Sequence, residues 1–376
     1  MSGQLALVLS GGGARAAYQA GVLRGLSRRF PELEPPIVTG VSAGAINAAW
    51  LASHTEPFLE KVDGLRKMWR DLRADDVFRM GSLSLAKNVS RTGLRLMSGG
   101  LIRAPRSSAL VDTRPLHDLL QRTLCAPDGS MSGIETNLAR GSLRAVAITA
   151  SCYTSGRSVT WVQGGEMPLW SRDQRVGERT RLRVDHVLAS ASLPLFFPAV
   201  PIDGRWYGDG GIRLTAPLSP AIHLGASKIL AVSTRYTPSD REVDSQYPAA
   251  YPPPAQIAGV LMNAVFLDSF DADALSMRRV NELIETMPPE RRGSLRPIEL
   301  FVLRPSRDLG TLANEFEARL PFAFRFLTRG WGTREARSND FLSMVMFQRD
   351  YIAGLIAIGE SDVTARIDEL EAFLRR

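Results

Sequence analysis

Ile37-Val38-Thr39-Gly40-Val41-Ser42-Ala43-Gly44 is the stretch whose reading decides the fold. A short apolar, β-branched run leads into a serine with a glycine two residues away on either side, and Ala45 to Ala52 continues as a small-residue helix. Gly-x-Ser-x-Gly places a serine on a tight strand-to-helix turn, where glycines are required because the backbone is strained and neighbouring elements approach closely. On such a turn Ser42 Oγ projects at the carboxyl end of a sheet, beside a helix N-terminus whose dipole favours developing negative charge. A purely structural turn can carry the same pentapeptide. The apolar strand before it and the small-residue helix after it favour a nucleophile, with Gly40 and Gly44 shaping the elbow.

Upstream, Leu5-Ala6-Leu7-Val8-Leu9 is a continuous apolar run, the pattern of a strand covered on both faces in a parallel sheet. It ends in Ser10-Gly11-Gly12-Gly13, and Ala14 to Leu26 has helical character. Strand, glycine turn, helix, strand, sharp turn and helix together predict an α/β sandwich. Leu143 to Tyr153, Ser158 to Gln163 and Lys228 to Thr234 read as further strands. Residues 236–255 are polar and proline-rich, a linker or long surface loop. Beyond them a helix around Val260 to Met287 is expected, then a buried-looking strand Ile298 to Leu303 and a mostly helical tail. One isolated strand is not stable by itself, so this C-terminal part is expected to pack onto the main sheet.

The glycine run Gly11-Gly12-Gly13-Ala14-Arg15 offers unshielded backbone N–H groups ahead of a helix, a suitable cradle for an oxyanion. The same run also fits the dinucleotide pattern Gly-x-Gly-x-x-Ala, with Ala16 in the last position. That reading requires an acidic residue about 20 residues on, at the end of the second strand. Glu32 and Glu34 precede that strand, which ends in the serine elbow instead, so the nucleotide reading fails.

A serine nucleophile needs a base. Tyr207-Gly208-Asp209-Gly210-Gly211 follows a hairpin sequence at Asp203-Gly204, and glycines on both sides let the Asp209 carboxylate approach another backbone; an ordinary polar turn is the alternative. In an α/β-hydrolase the order is serine, acid, histidine. Only His223 follows Asp209, inside an apparent packing helix at Pro217 to Gly225, while His54, His117 and His186 all precede it. A Ser42–Asp209 dyad therefore explains the sequence better than a triad.

The three motifs together resemble the patatin-like phospholipases: a Gly-Gly-Gly-x-Arg loop, Gly-x-Ser-x-Gly and Asp-Gly-Gly, in that order. The intervening Val111-Asp112-Thr113-Arg114-Pro115-Leu116 and the block Asp185 to Gly211, with Ala189-Ser190-Ala191-Ser192-Leu193-Pro194 and Phe196-Phe197-Pro198, carry the same resemblance. It covers about Leu5 to Thr234. It implies a three-layer α/β/α sandwich with a mostly parallel sheet, and hydrolysis of lipid acyl esters without metal or cofactor. Ser42 would be nucleophile, Asp209 base, Gly11, Gly12, Gly13 and Arg15 the oxyanion loop, and Gly210 and Gly211 the turn supporting Asp209. Ala16 stands where the family often has glycine. The implied division is a catalytic domain over 5–235, the linker over 236–255 and a helical extension over 256–376. A soluble esterase, thioesterase or transacylase on the same site is the alternative, and a non-catalytic lipid-binding scaffold the third reading.

Composition bounds the partners. The 376 residues are 44% hydrophobic and 23% charged with a net charge of +7, carried by arginine since the lysines are Lys61, Lys67, Lys87 and Lys228. That charge suits anionic lipid; no zinc spacing, basic zipper or RNA-binding aromatic signature supports nucleic acid. The start of the chain lacks signal-peptide features, and no stretch reads as a transmembrane helix, so a cytoplasmic protein with peripheral membrane contact is expected. Residues 77–111 alternate Arg79, Arg91, Arg95, Arg103 and Arg106 with leucines and contain no acid, the pattern of a mobile cap or membrane-facing segment. Arg319 to Arg337 interleaves Phe322, Phe324, Phe326 and Trp331 with arginines, for which core packing is favoured. Asp268, Asp271 and Asp273 lack the spacing and glycine of a calcium loop and read as a charged helix surface. Cys125 and Cys152 have no metal-ligand spacing and read as reduced thiols.

Overall fold

Strands β1 (Leu5–Leu9), β2 (Ile37–Val41) and β3 (Ala145–Cys152) run parallel, side by side, with β8 (Lys228–Val232) and β9 (Glu299–Leu303) continuing the parallel set beyond β1. On the far side of β3 lie β4 (Ser158–Gly164), antiparallel to it, and β5 (Arg175–Arg179). The path is β5-β4-β3-β2-β1-β8-β9, and the hairpin of β6 (Val200–Ile202) and β7 (Arg205–Asp209) joins through β3. The computed structural model describes residues 4–79, 111–194, 196–238, 242, 254–266, 268–293, 295–317 and 340–375. Residues 80–110 of the basic segment, most of 236–255, and 318–339 with Phe322, Phe324, Phe326 and Trp331 lie outside the described residues.

Period-two alternation sorts the strand residues onto two faces. Leu7, Leu9, Val38, Ile148, Leu230 and Val232 join the core that includes helices Ala17–Arg29, Ala43–Ser53 and Arg349–Ala365. Ala6, Val8, Ile37, Ala147, Ile229 and Ala231 join a second core with Leu218, Leu224, Phe270 and Met277. Helices thus cover both faces of a mostly parallel sheet, the α/β class that the β1–β2 region predicts. The near-continuous apolar composition of the central strands follows, because neither face meets water.

Two boundaries differ from the sequence expectation. The helix expected over Val260 to Met287 corresponds to two, Pro254–Phe266 and Asp268–Thr286. The glycine loop enters its helix through a 3₁₀ turn at Gly13–Ala16 before Ala17–Arg29 begins. The late strand behaves as expected: β9 pairs with β8 in register Lys228↔Glu299 to Val232↔Leu303, so the C-terminal part extends the main sheet. Helix Arg349–Ala365 closes on helix Ala17–Arg29 so tightly that a methyl on Gly21 would sit 2.1 Å from the Ile356 carbonyl oxygen. Among the described residues no helix is long and apolar enough to cross a membrane.

The strand order reverses at β1, which has β2 on one side and β8 on the other. In open α/β sheets the crevice outside the carboxyl ends at such a switch point is where ligands bind. The loop after β1 contains Gly11–Gly13, the turn after β2 contains Ser42, and β8 runs out into Ser233 and Thr234.

Candidate active site

Ser42 stands between β2 and helix Ala43–Ser53 with φ 55° and ψ −132°, a left-handed backbone rarely taken by a residue with a side chain. Close packing enforces it: a methyl on Gly44 would lie 2.3 Å from the Ser10 carbonyl oxygen, and one on Gly40 would lie 2.4 Å from that of Gly44. The Ser42 N–H donates to Ser190 Oγ at 3.0 Å, and Ser190 Oγ donates to the Thr149 carbonyl at 2.6 Å, tying the elbow to β3.

Asp209 arrives by a change of strand partner. β3 pairs with β2 up to Val41↔Thr149; β2 then turns away at Ser42, and the free length of β3 pairs with β7 from Ala150↔Asp209 onward. The last residue of β7 therefore lies next to the first residue of the elbow. Ser42 Oγ donates to Asp209 Oδ2 at 2.6 Å, across 167 residues of sequence. The other carboxylate oxygen accepts the Gly211 N–H at 2.9 Å, and the Asp209 N–H donates to the Ser192 carbonyl at 2.9 Å. Both side chains are buried, Asp209 completely. Burial pushes the Asp209 carboxyl up to about 7, against the lowering effect of the hydrogen bonds from Ser42 and Gly211.

The glycine loop faces this pair. Gly12 (φ 143°) and Gly13 (φ 57°) both occupy positive φ, and a methyl on Gly13 would come 2.2 Å from the Met344 carbonyl oxygen. Thr234 Oγ1 donates to the Gly11 carbonyl at 2.6 Å, and Gln19 Nε2 donates to the Ser10 carbonyl at 2.8 Å. Asn47, fully buried, donates to Gln19 Oε1 and to the Ala16 carbonyl and accepts from Trp69 Nε1. These bonds turn carbonyl groups away, and among the described residues the N–H groups of Gly12 and Gly13 donate to no protein atom. Arg15 is buried with its guanidinium aimed at the C-terminal part: Nε donates to Ser343 Oγ at 2.6 Å and one terminal nitrogen pairs with Asp340 Oδ1 at 2.5 Å.

Ser42, Asp209, Gly12 and Gly13 line one cavity. Its walls are apolar: Ile46, Met68, Leu72, Leu116, Leu120 and Phe197 on one side, Met344, Val345 and Phe347 from the C-terminal part on the other. A concave apolar space with a few convergent polar groups is the usual form of a small-molecule site.

The four histidines sit elsewhere, and none hydrogen-bonds Ser42 or Asp209. His186 is buried against Trp161 with Nδ1 accepting the Arg183 N–H, and burial lowers its pKa to about 4. His54 stacks on Trp50, His223 stacks on Trp170, and His117 lies near Asp118 and Asp185 at the surface. The aspartates weighed for calcium have other partners. Arg235 pairs with Asp268 and Asp271, Arg304 with Asp271, and Asp273 accepts the Leu218 N–H. Among the described residues no group of three His, Cys, Asp or Glu side chains is placed to hold a metal ion.

The sequence profile of the patatin-like phospholipases matches residues 7–222, more than half of the chain. The chain belongs to the patatin-like phospholipase family. Membership supports action on lipid acyl esters, and the matched residues include both Ser42 and Asp209. No curated protein matches the chain. Among solved structures, human GIVD cytosolic phospholipase A2 aligns with 99% of this patatin-like chain and 62% of its own, at 13% identity and TM-score 0.48. The type III effector ExoU of Pseudomonas aeruginosa aligns over 98% and 53%, at 14% identity and TM-score 0.38. VipD from Legionella pneumophila aligns over 94% and 66%, at 13% identity and TM-score 0.34. The chain thus spans less than two thirds of the human structure it resembles.

Ser190, Gln19, Asn47, Asp340 and Ser343 take part in the site without having been singled out as site residues. Buried polar side chains next to glycine turns are the signal that points to Gln19 and Asn47; for Asp340 and Ser343 the sequence holds none.

Proposed function

We propose that the protein is a serine lipid acyl hydrolase of the phospholipase or lipase type, working through a Ser42–Asp209 dyad and an acyl-enzyme. The observation that carries this reading is the 2.6 Å hydrogen bond from Ser42 Oγ to Asp209 Oδ2 at the base of an apolar cavity. Asp209 accepts the Ser42 proton as Oγ attacks the ester carbonyl. A carboxyl with a pKa near 7 is a far better base at neutral pH than an ordinary aspartate, because its affinity for the proton is matched to the working pH. The N–H groups of Gly12 and Gly13, with the N-terminal end of helix Ala43–Ser53, stabilise the oxyanion; one such donor is typically worth about 2.7–4 kcal/mol in the barrier. Arg15 contributes by fixing the loop through Asp340 and Ser343. The protonated Asp209 then returns its proton to the departing alkoxide, and water, activated by the same carboxylate, releases the acyl group.

The apolar cavity wall supports an acyl chain as the part of the substrate held at the site, and the net charge supports peripheral contact with anionic membrane. Product analysis by mass spectrometry on a mixed lipid extract tests this: free fatty acid and deacylated lipid should appear with wild type and be absent with Ser42→Ala. Equal product from both sinks the reading.

A further inference from the structure

We propose that Trp69 is a positioning residue for the glycine loop: it joins the wall of the acyl cavity to the oxyanion donors through a buried hydrogen-bond chain, Trp69 to Asn47 to Gln19, that grips the loop on both sides of Gly11–Gly13. This deepens the serine-hydrolase reading and rests on it. Trp69, on helix Phe58–Asp71, is 2% exposed, and its side chain lines the cavity together with Met68 and Leu72. Its Nε1 donates to Asn47 Oδ1 at 2.7 Å, on the helix Ala43–Ser53 that follows Ser42. Asn47 Nδ2 donates to the Ala16 carbonyl at 3.1 Å and to Gln19 Oε1 at 2.9 Å. Gln19 Nε2 donates onward to the carbonyls of Ser10 at 2.8 Å and Val232 at 3.4 Å. Ser10 immediately precedes the glycines, and Ala16 ends the 3₁₀ turn that follows them.

Directionality makes the chain one unit. An indole N–H only donates and a backbone carbonyl only accepts, so the chain begins with a donor at Trp69 and ends on acceptors at Ala16, Ser10 and Val232. Between these ends each amide has a single orientation that satisfies all its partners, and neither can flip without setting two donors or two acceptors face to face. Asn47 and Gln19 are completely buried, so solvent does not replace a bond that is lost. Without the Trp69 N–H, Asn47 Oδ1 is left buried with no donor, and a rotation that finds one takes Nδ2 away from Ala16 and Gln19. The Ser10 carbonyl that Gln19 holds also packs on the elbow, since it is the atom that a methyl on Gly44 would meet. A break at Trp69 therefore reaches the backbone on both sides of Gly12 and Gly13, whose N–H groups face the oxyanion.

The test is Trp69→Phe, which keeps an aromatic ring in the wall and removes the N–H. With p-nitrophenyl butyrate, kcat should fall about tenfold while KM stays within about twofold, because a misplaced oxyanion donor weakens the transition state and leaves ground-state binding alone. Ser42 Oγ adds to the carbonyl of a trifluoromethyl ketone as Asp209 takes its proton, which leaves an oxyanion facing Gly12 and Gly13. The Ki of that inhibitor should rise about tenfold, and the Ki of the matching methyl ketone, which stays trigonal, should not change. In a Gln19→Met background, Trp69→Phe should lower kcat no further, because the chain is already broken. A wild-type kcat in folded Trp69→Phe overturns the proposal. So does an equal loss of affinity for both ketones, which assigns Trp69 to cavity packing alone, and so do fully additive effects of the two substitutions, which make Trp69 and Gln19 independent. If Trp69→Phe does not fold, Gln19→Met, which breaks the chain at its other end, carries the ketone comparison with the same two outcomes. Failure of the hydrolase reading looks different: wild type then turns over no ester, while the coupling between Trp69 and Gln19 persists in unfolding free energies measured in denaturant.

Discussion

The turn Gly40–Gly44 and the loop Gly11–Gly13 leave adjacent parallel strands and face each other across Ser42, yet different forces hold them. The elbow's backbone is enforced mainly by close packing, the Gly44 position abutting the Ser10 carbonyl and the Gly40 position abutting Gly44 itself, with one distant hydrogen bond from the Ser42 N–H to Ser190. The glycine loop is held from a distance, by Thr234 at the end of β8, by Gln19 and Asn47 beneath, and by Arg15 reaching Asp340 across 325 residues. Strain at Ser42 can be written into five residues. The shape of the glycine loop depends on the C-terminal part, outside the residues that match the family profile.

The largest effect is expected at the elbow. Ser42→Ala and Asp209→Asn should each lower kcat by about 10²–10⁴-fold or more, measured as fatty acid release, with the far-UV circular dichroism unchanged. Asp209→Asn should also stabilise the protein. Its carboxyl has a folded-state pKa raised to about 7, so deprotonation opposes folding increasingly as pH rises from about 4 to 7. Removing that charge should gain up to roughly 4 kcal/mol above pH 7, and the gain should vanish below pH 4 in denaturant titrations.

Asp340→Ala tests the distant anchor. It leaves the buried Arg15 guanidinium without its carboxylate, which typically costs about 3–5 kcal/mol. In the folded fraction kcat should fall more than KM changes, and Asp340→Asn, which keeps hydrogen-bond acceptors, should recover part of it. Unchanged kcat in folded Asp340→Ala would mean that the glycine loop keeps its shape unaided, which erases the contrast between the two turns. Gly44→Ala tests the local side: its methyl meets backbone that cannot yield, so a loss of about 1–3 kcal/mol in unfolding free energy is expected. Ser190→Ala has the smallest effect, about 1–2 kcal/mol, since it strands the Thr149 carbonyl and the Ser42 N–H.

The same contrast explains what could be read beforehand. The α/β class and the Ser42 elbow were legible because apolar runs and glycine spacing are local properties. Asp209 was legible only by asking what base a serine with no usable histidine could have. Its arrival beside Ser42 depends on β3 outrunning β2 and taking β7 as its next partner, a consequence of strand lengths that no single motif encodes. Arg15 was legible as part of the glycine loop, but its partner was not, because Asp340 and Ser343 carry no pattern of their own. The helix pair Pro254–Phe266 and Asp268–Thr286 reads as one apolar-to-amphipathic run, and periodicity alone did not separate its two parts.

The account stands or falls on Asp209 acting as the base for Ser42. The rate of fluorophosphonate labelling, followed by intact mass with the site mapped by peptide sequencing, measures this directly across pH 5 to 9. Because the base must be deprotonated to accept the serine proton, labelling of Ser42 in wild type should rise with pH through a midpoint near 7, and Asp209→Asn should label slowly at every pH. Label on another residue, a flat wild-type profile, or an Asn variant that labels at the wild-type rate would contradict it.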